Sequence, residues 1–156
     1  MAAGNNTELD ARSIVTVRLI DAPRELVFDA FTNPDHLARW WGPDGFTTTT
    51  HAFDMRPGGE WRFTMHGPDG RDYENHIAYD EIVRPERIAY THGGDNGAVQ
   101  FQSTVTFEDL GGKTRLTMRG VFASKERRDW VEENYGAVEG AKQTLARLDE
   151  FLTGNA

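Results

Sequence analysis

Residues 13–20, Ser-Ile-Val-Thr-Val-Arg-Leu-Ile, are β-branched and apolar and are closed off by Asp21-Ala22-Pro23, which predicts a strand ended by a turn. The period then changes. Behind Pro23, which suits a first helical turn, Leu26, Val27, Ala30 and Phe31 recur at helical spacing. A second short helix is expected after Asn33, with Pro34 at its first position, Leu37, Trp40 and Trp41 on its inner side, and Gly42-Pro43 as its stop. From Gly45 to Phe122, strand-like runs alternate with turn compositions: Arg56-Pro57-Gly58-Gly59, Gly67-Pro68-Asp69-Gly70, Arg84-Pro85-Glu86, Gly93 to Gly97 and Gly111-Gly112. These predict about six consecutive strands with hairpin connections. Ser124 to Leu152 reads as one long helix, with a polar start and a stripe of Val138, Ala141, Leu145, Leu148 and Leu152 spaced by three and four, ended by Gly154.

This order predicts an α+β architecture: a strongly curved seven-stranded antiparallel sheet wrapped around a long C-terminal helix, with two short helices after the first strand. Residues 1–11 are expected to be frayed and residues 12–153 to form a single domain. The adjacent Trp40 and Trp41 at a chain reversal either plug the core or line the mouth of a cavity.

The 156 residues are enough for one domain with a real core, and the absence of cysteine removes disulfides, thiolate metal sites and a cysteine nucleophile. A net charge of -8 argues against nucleic acid and anionic lipid surfaces as partners. The first ten residues carry no secretion-signal pattern and no stretch approaches a membrane span, so the expectation is a cytoplasmic protein that stays off membranes.

Several strings carry a resemblance: DAPRELVFDAFTNPDHLARWWGP, DMRPGGEWRFTMHGPDG, YDEIVRPERIAYTH, TVTFED and YGAVEGAKQTLARLDEFL, together spanning about residues 12–153. With the element order, they resemble the START-like (birch-pollen-allergen-like, helix-grip) superfamily. More narrowly, the chain is similar to bacterial proteins related to the C-terminal domain of the activator of the ninety-kilodalton heat-shock chaperone. The resemblance implies an apolar cavity between sheet and final helix, with a small hydrophobic molecule as the expected partner. It also offers a stress-response role with the chaperone as partner, although 156 residues leave no room for the separate N-terminal domain by which the eukaryotic activator also grips it. Such folds host carriers, cyclases, hydrolases and chaperone partners alike. An oligomer is neither required nor forbidden.

Strand register can be argued from the turns. A hairpin at Gly67 to Arg71 sets Met65 opposite Tyr73, Phe63 opposite Asn75 and Trp61 opposite Ile77, leaving the polar Arg62, Thr64, Glu74 and His76 on the other face. The same parity places Tyr79, Glu81 and Val83 inward opposite Ile88, Tyr90 and His92, and brings Phe53 and His51 inward on the preceding strand. Phe101, Ser103, Val105 and Phe107 then face Leu116 and Met118. His51, Asn75, Tyr79, Glu81, Tyr90, His92 and Ser103 are more polar groups than a dry core tolerates at roughly 1–3 kcal/mol each, so a hydrated pocket is expected unless they bond to one another or reach water at strand ends. Its expected walls are Trp61, Phe63 and Met65, then Phe101, Val105 and Met118, then Val138, Ala141 and Leu145 on the helix.

Reactive chemistry is sparse. The five histidines do not fall at metal-ligand spacing, with His51 and His92 separated by two strands, so neither metal nor cofactor is expected. Glu81 with Tyr90 or His92 is the one acid–base candidate, since an apolar pocket raises a carboxyl pKa; its plainer reading is a buried Glu bonded to a neighbour. No Gly-x-Ser-x-Gly elbow or phosphate loop is present. Three readings result: a carrier of a small apolar or amphipathic ligand, a chaperone-associated interaction protein, and a cyclase- or hydratase-like enzyme using the same pocket.

Overall fold

In the computed structural model, which describes residues 8–154, the first strand β1 (Ser13–Ile20) pairs with the last strand rather than the next one. The strands β2 (Thr47–Phe53), β3 (Glu60–His66), β4 (Asp72–Val83), β5 (Arg87–Gly94), β6 (Val99–Asp109) and β7 (Thr114–Val121) run as an antiparallel meander, so the sheet order is β1-β7-β6-β5-β4-β3-β2. Residues 1–7, most of the segment expected to be frayed, lie outside the described residues, and 8–11 are helical. The turn-based register of the β3–β4 hairpin is the one observed, with Trp61 opposite Ile77, Phe63 opposite Asn75 and Met65 opposite Tyr73.

Two short helices, α1 (Arg24–Asp29) and α2 (Pro34–Trp40), fill the connection from β1 to β2. Asn33 caps α2 by accepting from the Asp35 amide at 2.8 Å, and Pro34 supplies the first helical φ without spending a donor. The expected single helix over 124–152 is two: α3 (Lys125–Tyr135) and α4 (Ala137–Thr153). Gly136 lies between them at φ 61, the left-handed conformation that terminates helices. Glu132 bridges the break, its Oε1 accepting from the Val138 amide at 2.8 Å and so capping the start of α4.

The two tryptophans are core. Trp40 is fully enclosed, its indole N–H donating to Ala30 O at 3.1 Å, and Trp41 meets Trp61 edge-on at 5.1 Å between ring centroids. Trp61 in turn stacks on Phe63 at 3.9 Å. Leu145 and Leu148 of α4 close over this layer, each contributing on the order of 1.5–3 kcal/mol by burial.

The turn after the tryptophans is held by one side chain. Arg147 of α4 donates from its NH1 nitrogen to Gly42 O at 2.8 Å and Pro43 O at 3.0 Å, with Trp41 O at 3.4 Å. These carbonyls follow the C-terminus of α2, where a positive charge is favoured. Arg147→Met should lower the free energy of urea unfolding by about 2 kcal/mol. Arg147→Lys should restore less than half of that, because an ammonium on a flexible stem lacks the second nitrogen by which the guanidinium also reaches Arg39 O at 3.4 Å.

Candidate ligand cavity

The concave face of the sheet is filled at one end and hollow at the other. At the filled end, large side chains meet large ones: Trp41 against Trp61, and Phe28 and Phe31 against Phe107. At the other end a cavity of about 350 Å³ opens between the sheet and the α3–α4 junction, with volume for about a dozen waters at ~30 Å³ each. Small residues face one another across it: Thr16, Ser103 and Gly120 from the strands, Ala137, Gly140 and Ala141 from α4. Gly120 does more than leave space, because a Cβ there would come within 3.1 Å of the Phe101 ring that forms part of the wall. Pro43 and Phe46, in the turn anchored by Arg147, sit on the rim, where Pro43 lies against Gly140.

The sequence-derived pocket residues divide three ways. Met65, Asn75, His92, Phe101, Ser103 and Met118 on the strands line the cavity, and so does Ala141 on α4. Trp61, Phe63, Val105 and Leu145 are packed solid in the core instead. Tyr79 and Tyr90 belong to that core too, beside a separate void of about 10 Å³ that holds one water at most. Val138 does not line the cavity but packs against Ile14, Phe122 and Val131, which do.

His51 and Glu81 are outside, and the reason is the same for both. A bulge between Thr50 and Ala52 leaves His51 without a cross-strand partner, on the outer face, 2.7 Å from Thr64 Oγ1, which itself donates to Glu74. A second bulge between Tyr79 and Glu81 inserts Asp80, so Ile82 rather than Glu81 continues the inner face opposite Ile88. Glu81 pairs with Arg87 in solvent, its side chain 44% accessible, and Val83 is turned out with it. The acid–base candidate is therefore not in the cavity.

Sequence reasoning missed Ile14 and Thr16 of β1, the rim residues Pro43 and Phe46, and Asp95 with its α3 partner Tyr135. Tyr73 was legible, since it shares the inward parity of Met65. The α3 residues had no signal while the two helices were read as one, because the apolar stripe of that helix begins at Val138.

His92 is the main polar group of the inner wall. Its Nε2 lies 2.9 Å from Asn75 Oδ1, while Asn75 Nδ2 donates to Tyr73 O at 3.0 Å. Since Tyr73 O can only accept, the amide orientation is set, and His92 must carry its proton on Nε2 and keep Nδ1 as an acceptor. Burial, and to a lesser degree the charge of nearby His76, push His92 down to about 4, so it is neutral at pH 7. By accessible surface the residue is half-buried, and it lines the cavity. Burial likewise pushes the Tyr90 phenol up to about 12. The Ser103 hydroxyl is close enough to oppose that shift, yet the two do not meet in hydrogen-bonding geometry, and Ser103 Oγ is left buried without a partner.

At the rim, Asp95 holds the only non-glycine backbone with positive φ among the described residues, 51°. Its Oδ2 accepts from the Tyr135 hydroxyl at 2.6 Å and from Arg71 at 2.7 Å, joining the end of α3 to the β3–β4 hairpin. The hydrogen bond to Asp95 raises the Tyr135 pKa. Among the described residues no group of three or more His, Asp or Glu could hold a metal, and no helix is long and apolar enough to cross a membrane.

A curved antiparallel sheet gripping a C-terminal helix around an apolar hollow is the START-like helix-grip architecture. Residues 21–153 match the family described as Activator of Hsp90 ATPase homolog 1-like protein, and the chain belongs to that family. It is similar to the solution structure of a protein from Arthrobacter aurescens, at 27% identity and TM-score 0.87, over 96% of this chain and 90% of that one. A crystal structure of a Mycobacterium smegmatis protein is similar at 27% identity and TM-score 0.84, over 96% and 95% of the two chains. One from Chromobacterium violaceum is similar at 26% and 0.77, over 90% and 96%. No curated protein matches the chain.

The low His92 value gives a signed pH dependence. The unfolded chain takes up a proton at His92 from about pH 6.5 downward, whereas the folded chain resists until about 4, so this residue lowers stability as pH falls through that window and not above it. Urea unfolding should lose up to about 3 kcal/mol from this source between those limits, at ~1.4 kcal/mol per pKa unit, and His92→Phe should remove that part of the slope.

Proposed function

We propose that this protein binds one small amphipathic molecule in the cavity under the α3–α4 junction. The observation that carries this reading is the hollow itself: about 350 Å³, walled mainly by apolar and aromatic groups, with a few polar side chains at fixed positions. The catalytic alternative loses its acid–base residue with Glu81 on the outer face, and the carboxylate at the rim, Asp95, is already engaged by Arg71 and Tyr135. A carrier is the reading that needs no further group.

The chaperone reading rests on the family description and on one surface feature. Val15, Val17 and Leu19 of the edge strand β1 are 47%, 54% and 62% exposed on the outer face, an apolar stripe that a protein partner could cover. If it does so, Hsp90 from the host should be retained by the native protein and released by Val17→Lys.

Two measurements test the carrier reading. An environment-sensitive apolar dye should bind with one-to-one stoichiometry, and Ala141→Trp, which adds bulk from α4 into the cavity, should reduce its affinity at least tenfold while leaving the circular dichroism unchanged. Unchanged affinity in the folded variant would place the dye elsewhere and sink the reading. Glu81→Gln, being outside, should leave dye affinity within twofold.

A further inference from the structure

The chemistry of the cavity wall narrows the ligand further than its size does, and the ligand class inferred from it rests on the carrier reading. No Lys or Arg is among the described residues that line the cavity, and its one carboxylate, Asp95, already has Arg71 and Tyr135 as partners. A ligand carboxylate or phosphate would have to shed its water with no cation to receive it, in a protein whose net charge is -8. The inner wall offers something different. His92 Nε2–H is committed to Asn75, and its Nδ1 has no hydrogen-bond partner among the described residues. That nitrogen is not enclosed, and His92 is one of the residues lining the cavity. Ser103, on the neighbouring strand, is diagonal to His92 on the same face, because His92 pairs with Phe101 and Tyr90 with Ser103. Ser103 is 2% exposed, and its enclosed hydroxyl lies near the Tyr90 phenol without meeting it in hydrogen-bonding geometry.

We infer that the cavity selects an uncharged amphipath bearing a hydroxyl group, whose O–H donates to His92 Nδ1 and whose oxygen accepts from Ser103 Oγ. A hydroxyl supplies both a donor and an acceptor at one atom, which a carbonyl, an ether or a carboxylate does not. The neutral state of His92 above about pH 5 keeps the acceptor available across the physiological range. Because the Ser103 hydroxyl is enclosed in its present rotamer, binding in this mode requires it to rotate about χ1 toward the hollow, where the ligand becomes its partner.

Three matched probes of about a dozen non-hydrogen atoms test this: 2-naphthylmethanol, its methyl ether and 2-naphthoate, each titrated into the protein at pH 7.5 and followed by amide chemical shifts. The alcohol should bind at least fivefold tighter than the ether and at least tenfold tighter than the carboxylate, shifting cavity residues in each case. His92→Phe should bind alcohol and ether within twofold of each other. An ether that matches the alcohol, or a carboxylate that matches or exceeds it, in the unaltered protein overturns the hydroxyl assignment while leaving the carrier reading standing, and does so whether or not the variant folds. Failure of all three probes to perturb cavity residues overturns both.

Discussion

The contact of Arg147 with the carbonyls of residues 41–43 fixes how the helical layer sits on the sheet. It ties α4, which covers the sheet, to the turn that ends α2, and this turn borders both ends of the concave face. On one side of the turn Trp41 is pushed into the stack with Trp61 and Phe63; on the other, Pro43 comes against Gly140 and Phe46 is left at the rim. Gly42 completes the arrangement at φ 104, where a side chain would be strained and its Cβ would fall 2.9 Å from Met65. A guanidinium suits the task because it stays charged and presents several N–H groups in a fixed fan.

Given that placement, side-chain size decides which part of the interior is solid. Tryptophan and phenylalanine project from both layers at the α1–α2 end and leave no room. Alanine and glycine of α4 face threonine, serine and glycine of the strands at the α3 end, and space remains. A dry void of 350 Å³ would cost on the order of 8 kcal/mol at ~24 cal/mol per Å³, comparable to the whole stability of a typical domain. A hollow that opens at a rim escapes that cost by admitting water or a ligand, and the polar groups of its wall, His92, Asn75 and Ser103, are where an occupant can be oriented.

The fold was largely legible in the sequence because turn chemistry, alternation and helical spacing all pointed the same way, most clearly in the β3–β4 hairpin where Gly67 to Gly70 set the register. Legibility failed where the chain departs from a strict period without changing composition. Each β-bulge adds one residue to one strand and flips the parity beyond it, which moved His51 and Glu81 to the outer face. Gly136 breaks the last helix, yet the apolar stripe beyond it is undisturbed, so spacing alone could not show α3 as a separate roof. The cavity escapes the pattern for a different reason. Inward parity makes Trp61, Phe63, Val105 and Leu145 look like pocket walls, whereas large groups fill space and small ones create it; the informative residues are Ser103, Gly120, Gly140 and Ala141.

The rim carries the remaining physical tension. Asp95 adopts a backbone conformation that costs a side-chain-bearing residue energy, although aspartate tolerates it better than most. What holds it there is a carboxylate shared between Tyr135 at the end of α3 and Arg71 on the β3–β4 hairpin, with the Arg71 guanidinium lying 4.4 Å from the centroid of the Tyr73 ring. Three segments far apart in sequence thus meet at one anion, and two of the aromatic groups that border the opening, Tyr73 and Tyr135, are positioned by it. α3 itself fully buries only Val131 and ends at the left-handed Gly136, so its C-terminal end has little apolar packing beyond the partly buried Tyr135. The polar cluster at Asp95 compensates for that deficit, and its negative charge, neutralised locally by Arg71, leaves the entrance without a free cation to attract an anionic guest.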